Sequence, residues 1–176
     1  MTRFILGFIL AVFINMQLPC LANEDLEAKI KAAYIYHFNQ FIDWKFESEN
    51  DKQSPLKVCV IGKDPIGNLL NELSTTKVEG RPLHVEYNKK EPDEMPDCHI
   101  LFISKSLEKQ LSQILSKVQG KNILTVSDIS DFAKRGGKIG FVKDSGKIKI
   151  EINLGNVKND KYKINAKLLE VARIIK

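Results

Sequence analysis

The chain has 176 residues with 27 basic and 22 acidic side chains, a formal net charge of +5. That is enough length for one domain with a real core and too little for several. The lysines are interleaved with glutamates instead of being gathered into an arm, which argues against a nucleic-acid binder and leaves a solvated surface, or light contact with anionic lipid headgroups, as their role.

Arg3 is the only charged residue ahead of Glu24. Phe4 to Ile14 run apolar, and polar Asn15 and Gln17, Pro19 and Cys20-Leu21-Ala22 follow. A positive start, a short apolar stretch and small residues before Asn23 predict an export signal over 1–22, cut after Ala22. The apolar run is well short of the roughly 20 residues that a spanning helix needs. Pro19 and Gln17 stand where a lipoprotein signal would want a small residue and a leucine, so Cys20 leaves with the signal. What remains, 23–176, is read as a single domain of the bacterial periplasm.

From Asp25 to Trp44 the positions Leu26, Ile30, Ala33, Tyr34, His37, Phe38, Phe41 and Ile42 follow helical spacing, with Asn23, Glu24 and Asp25 supplying cap and negative charge. A polar loop covers 46–54. Leu56 to Ile61 reads as a strand that Gly62 ends, and Asp64-Pro65 opens a helix to about Leu73. Val78 to Pro82 is a turn, and Leu83 to Tyr87 alternates like a strand. The next ten residues hold two prolines and are too short for a crossover helix. Cys98 to Ile103 is a strand, and Ser104 or Ser106 caps a helix that Gly120 stops. Ile123 to Val126 is a buried strand, followed by a short helix through Phe132-Ala133 that Gly136-Gly137 ends. Lys138 to Val142 and Lys147 to Asn153 flank Asp144-Ser145-Gly146, a hairpin signal. A last helix covers 166–175. The order predicts a three-layer single-domain α/β fold: about six strands, mostly parallel, an antiparallel C-terminal hairpin at the edge and helices on both faces.

Chemistry is sparse. His37 sits on the apolar side of the first helix as a core histidine, and His84 and His99 fall on different strands; none forms a ligand pair at helical or zinc-finger spacing, so no metal site is expected. There is no nucleophile elbow, and Cys98-His99 are strand neighbours that point to opposite faces. The turn Gly62 to Gly67 lacks the phosphate-loop and dinucleotide glycine patterns, although its amides could face an anion. Asp64, Asp128 and Asp131 stand near strand ends, where α/β proteins hold ligands, yet each also fits helix capping. Cys59 and Cys98 form an even pair; a disulfide between them and a buried thiol packed in Val58-Cys59-Val60-Ile61 are both open readings. Phe41 and Trp44 end an aromatic series where the chain turns polar, and they are the candidate partner-contacting residues. No catalytic residue, cofactor or metal ligand is expected, and the protein is read as a non-enzyme that binds another protein.

The stretch Lys31-Ala32-Ala33-Tyr34-Ile35-Tyr36-His37-Phe38 through Phe41-Ile42-Asp43-Trp44 resembles the opening helix of the YfiR-like periplasmic proteins. Val58-Cys59-Val60-Ile61-Gly62-Lys63-Asp64-Pro65, Asp97-Cys98-His99-Ile100-Leu101-Phe102 and Ile123-Leu124-Thr125-Val126-Ser127-Asp128 are similar as well. So are Gly136-Gly137-Lys138-Ile139 and the closing Lys167-Leu168-Leu169-Glu170-Val171-Ala172-Arg173. The resemblance implies a periplasmic repressor that binds the sensor domain of an inner-membrane diguanylate cyclase, restraining cyclic di-GMP production and biofilm formation. It also implies a homodimer and a disulfide joining Cys59 and Cys98. Lys45 replaces the proline that usually follows the tryptophan, and a second, C-terminal cysteine pair is missing. The alternative is a periplasmic small-ligand sensor serving a two-component system or transporter, with its ligand at the turn mouths near Asp64 and Asp128.

Overall fold

The computed structural model describes residues 20–45, 54–74, 82–88, 90 and 94–175. The apolar leader, the polar loop after Trp44 and most of the turn before Leu83 lie outside the described residues. Helix α1 spans Cys20–Phe41. The expected cut after Ala22 would therefore leave it starting at Asn23.

The face that α1 buries is Ala28, Ala32, Ile35 and Phe38, continued by Ile42. Leu26 is 55% exposed, Ile30 36% exposed, and His37 is also on the solvent side. The expected apolar face was thus rotated. Apolar residues surround most of this helix, and the side with the two small alanines is the one that seats on the sheet. The helix also ends earlier than expected: Ile42–Trp44 form strand β1.

The main sheet comprises β2 (Leu56–Ile61), β3 (Leu83–Asn88), β4 (Ile100–Ile103), β5 (Leu124–Ser127), β6 (Ile139–Asp144), β7 (Lys147–Asn153) and β9 (Arg173–Ile175). Its order is β3-β2-β4-β5-β6-β7-β9, and all neighbours are parallel except β6 and β7. Seven strands, mostly parallel, with helices on both faces make the expected α/β architecture. Strand β1 pairs separately and antiparallel with β8 (Tyr162–Ile164), setting Asp43 opposite Lys163.

Strands β2, β4 and β5 have no exposed face. Val58, Val60, Ile100, Phe102, Leu124 and Val126 point to one side, under α1 and helix α2 (Ile66–Ser74). Cys59, Ile61, Leu101 and Ile103 point to the other, under a 3₁₀ segment (Lys105–Gln110) and helix α3 (Leu111–Val118). Ser104 caps that segment, its Oγ accepting from Ser106 N–H at 3.1 Å. The hairpin turn has positive φ at Ser145 and Gly146, as a two-residue hairpin loop requires.

Two expectations in the last third are corrected. The stretch through Phe132-Ala133 is a series of turns, with Asp131 at φ 55° breaking helical geometry. The hairpin is not the sheet edge, and the last helix is short. After α4 (Leu154–Val157) and β8, helix α5 stops at Ala166–Val171 and β9 adds to β7 in parallel. The β7–β9 register sets Arg173 beside Glu151, which is 4% exposed and takes the guanidinium at 3.0 Å.

Gly137 sits against the fully buried Phe132. A Cβ placed there would lie 2.1 Å from the ring, and no rotamer change can relieve that in a packed layer. Gly137→Ala is expected to cost about 1–3 kcal/mol by urea denaturation; a cost below about 0.5 kcal/mol would show that the ring moves freely.

Candidate functional site

Two cavities flank the parallel strands, one at each end. At the carboxyl end, a cavity of about 610 Å³ is bordered by α1, the turn after β2, the start of the 3₁₀ segment, the turn after β5 and the hairpin. Strand order reverses between β2 and β4, so this is where an open α/β sheet usually holds ligands.

Asp64 and Asp128 meet here. Asp128 follows β5 and accepts from the Lys31 ammonium of α1 at 2.5 Å, both side chains nearly buried. The second oxygen of Asp128 is buried without a hydrogen bond. Asp64 caps α2 through Ile66 N–H at 3.0 Å. Burial, and then the neighbouring Asp128 charge, raise the Asp64 carboxyl above the usual carboxylate range. Asp131 also borders this cavity, but it is exposed and paired with Lys134.

The turn after β2 is not an anion cradle. Gly62 N–H donates to the Asn88 carbonyl, Lys63 N–H to Ser106 Oγ and Asp64 N–H to the Tyr87 hydroxyl. These three amides are engaged within the fold.

The amino end holds a cavity of about 640 Å³, formed where the chain enters β2, β4 and β5 and where the β1–β8 ribbon passes over them. Trp44 stands in its wall, with its ring 5.0 Å from Tyr162 and 5.6 Å from His99. Its place in β1, paired with Tyr162, makes it a half-buried wall residue instead of a helix end reaching outward. Phe41 is half-buried against the first core layer. His99 is held firmly: Lys57 N–H donates to its Nδ1 at 3.0 Å, while its own N–H donates to Lys57 O. His84 is exposed, 3.7 Å from Glu86. Among the described residues, no three His, Cys, Asp or Glu side chains gather as a metal site would require.

Beside this cavity Lys138 and Asp160 make a nearly buried pair at 2.8 Å, with the Lys138 ammonium 5.5 Å from the Tyr162 ring. Burial, followed by the Asp160 charge, pushes the Tyr162 phenol far up. The hydroxyl feels that carboxylate without closing a well-aligned hydrogen bond to it.

Cys59 and Cys98 are buried neighbours, 1% and 5% exposed, and stand as thiols. Contact with Cys98, reinforced by burial, holds the Cys59 thiol far above its ordinary range. A thiol held that far up is a poor nucleophile, and this applies to Cys59. No helix among the described residues is long and apolar enough to cross a membrane.

The family described as YfiR/HmsC-like matches residues 28–173, nearly the whole described chain. Comparison with curated proteins returns no match.

Asp64 gives the carboxyl-end site a pH signature. A carboxyl raised by folding binds its proton more tightly in the folded state, so its ionised form opposes folding near neutrality. That opposition fades as pH falls through the raised value. Asp64→Asn keeps the capping oxygen and removes the charge. Its Tm is expected to exceed that of the wild type at pH 7, with the gap closing toward about pH 4; a lower Tm at pH 7 would mean that the charge helps the fold.

Proposed function

Because the chain belongs to the YfiR/HmsC-like family, we propose that it is a non-enzymatic regulatory protein of the bacterial periplasm. It binds the periplasmic sensor domain of an inner-membrane diguanylate cyclase and holds that enzyme inactive, lowering cyclic di-GMP and restraining biofilm. The observation that carries this reading is the family match, which runs from α1 to the first residue of β9. The internal engagement of the polar groups at the carboxyl end supports it, since those residues serve the fold before any substrate. The N-terminal pattern of Arg3, the apolar run and Ala22 supports export.

Phe41 and Trp44 are the partner-contacting residues in this reading. They flank the turn from α1 into the β1–β8 ribbon, which lies apart from the main sheet and so offers a surface that can be engaged without unpairing it. Self-association is part of the same proposal. Val171 and Ile174 remain 67% and 39% exposed beside the open edge of β9, an invitation to a second copy. The buried Cys59 and Cys98 thiols, already neighbours, are proposed to join as a disulfide after export. Closing a loop of about 40 residues would stabilise the fold by roughly 4 kcal/mol on chain-entropy grounds.

A second reading, a small-ligand sensor, has one observation in its favour. The unpaired buried oxygen of Asp128 lies at the carboxyl-end cavity, where it could accept from a ligand donor. A metabolite panel that raised Tm for wild type but not for Asp128→Asn would favour it.

Deleting the gene is expected to raise cellular cyclic di-GMP, measured by mass spectrometry; unchanged levels across growth conditions would remove the cyclase reading. Trp44→Ala is expected to weaken binding to the cyclase's periplasmic domain by about 30-fold, roughly 2 kcal/mol, with circular dichroism unchanged. Peptide mapping of exported protein without reductant should recover Cys59 and Cys98 linked; two alkylated thiols would refute the disulfide.

A further inference from the structure

The β1–β8 ribbon leaves the far edge of β8 unpaired among the described residues. Lys45 N–H donates to Lys161 O and Asn165 N–H to Phe41 O, while Asp43 stands opposite Lys163 between them. In antiparallel pairing, bonded residues alternate with unbonded ones. Tyr162 and Ile164 therefore turn their N–H and C=O groups to the other edge of β8. No backbone group among the described residues meets them there. Such an edge is a template for a further strand.

The edge borders an apolar groove of about 510 Å³. Leu154 and Val157 of α4, Ile164 of β8 and Leu169 of α5 supply its apolar surface, and Leu154 is 39% exposed. Lys158 and Lys163 stand on its border, both exposed and without an ion pair among the described residues. A strand added to β8 would set alternate side chains over Tyr162 and Ile164, on the side of the groove. The side chain between those two would come to lie beside Lys163. The paired edge shows the chemistry that β8 accepts. On it Ile42, Asp43 and Trp44 lie opposite Ile164, Lys163 and Tyr162, an apolar–acidic–apolar series.

We propose that the free edge of β8 takes a further strand from an acidic partner protein, an extended segment in which apolar residues alternate with aspartate or glutamate. Main-chain hydrogen bonds to Tyr162 and Ile164 supply affinity, the groove selects the apolar side chains, and Lys158 and Lys163 select the acidic ones. The same lysines oppose a second copy as the occupant. Two β8 edges brought together would set like charges side by side. The inference rests on the regulatory reading only for who the partner is, and it names the kind of segment that the partner must offer.

The full exported chain is titrated, by fluorescence anisotropy, with a short labelled peptide that alternates valine and glutamate. One control carries lysine in place of glutamate. The other is N-methylated along its backbone, which removes strand pairing and keeps side chains and charge. Saturable binding is expected for the glutamate peptide and loss of about tenfold or more for each control. Affinity should also fall several-fold as NaCl rises toward physiological strength. Lys158→Gln combined with Lys163→Gln should weaken binding about tenfold with circular dichroism unchanged. If that variant fails to fold, the two control peptides decide with the wild type alone. Equal binding of the N-methylated peptide would make the groove a plain apolar surface and overturn the proposal. So would equal binding of the lysine peptide, or no saturable binding. Dissociation of a dimer by the glutamate peptide in sedimentation would make a second copy the occupant and overturn it as well. Peptide binding that persists while gene deletion leaves cyclic di-GMP unchanged would support the edge and refute the cyclase alone.

Discussion

The constraint on which the structure depends is the two-sided burial of β2, β4 and β5. Parallel strands whose side chains are apolar on both faces cannot stand at a surface, so each face must be covered. On one face the cover is α1 and α2; on the other it is the 3₁₀ segment with α3 and the Ile129–Phe132 turn. Every other element is placed by that requirement. The β6–β7 hairpin extends the sheet on the side of β5, and β9 closes it beyond β7, where Arg173 meets the buried Glu151. Among the described residues, only β1 and β8 stand outside the main sheet.

Charge follows from the same geometry. A helix that covers one face of the sheet, with its first half at the carboxyl ends of the strands, carries side chains into the mouth left open there, and Lys31 enters it against Asp128. The pair is nearly dry, so separating its members is costly, whereas making it gains little beyond a well-packed apolar contact. Its structural consequence is to fix how α1 lies across the sheet. Asp64, already committed as the cap of α2, then finds itself beside a carboxylate it cannot avoid and carries the raised proton affinity that results.

Much of this was legible in the chain. The central strands are continuous apolar runs, and the hairpin announces itself at Asp144-Ser145-Gly146. Those signals are local, which is why they held. The three-residue strands β1, β8 and β9 were not legible. Ile42-Asp43-Trp44 continues a helical periodicity, and only pairing with Tyr162–Ile164 makes it extended. The rotation of α1 was hidden for a related reason: Leu26 and Ile30 look as buriable as Ala28 and Ala32 until the sheet selects the smaller pair. Phe132-Ala133 satisfied helical spacing, but Asp131 takes a left-handed conformation there. The convergence of Asp64 and Asp128 was partly legible, since both follow strands; the Lys31 that joins them was not.

The amino-end cavity was the least legible part. Its walls come from five stretches far apart in sequence: the end of β1, the entries to β2, β4 and β5, and the start of β8. None carries a motif, and each alone reads as a polar loop. Helices covering a parallel sheet direct their first turns and caps toward its carboxyl end, so that end tends to be neutralised from within, as Lys31 and Ser104 do here. At the amino end the side chains come from separate loops: Lys57 lies against the exposed Asp97, and the ribbon bearing Trp44 passes over the entries to the strands.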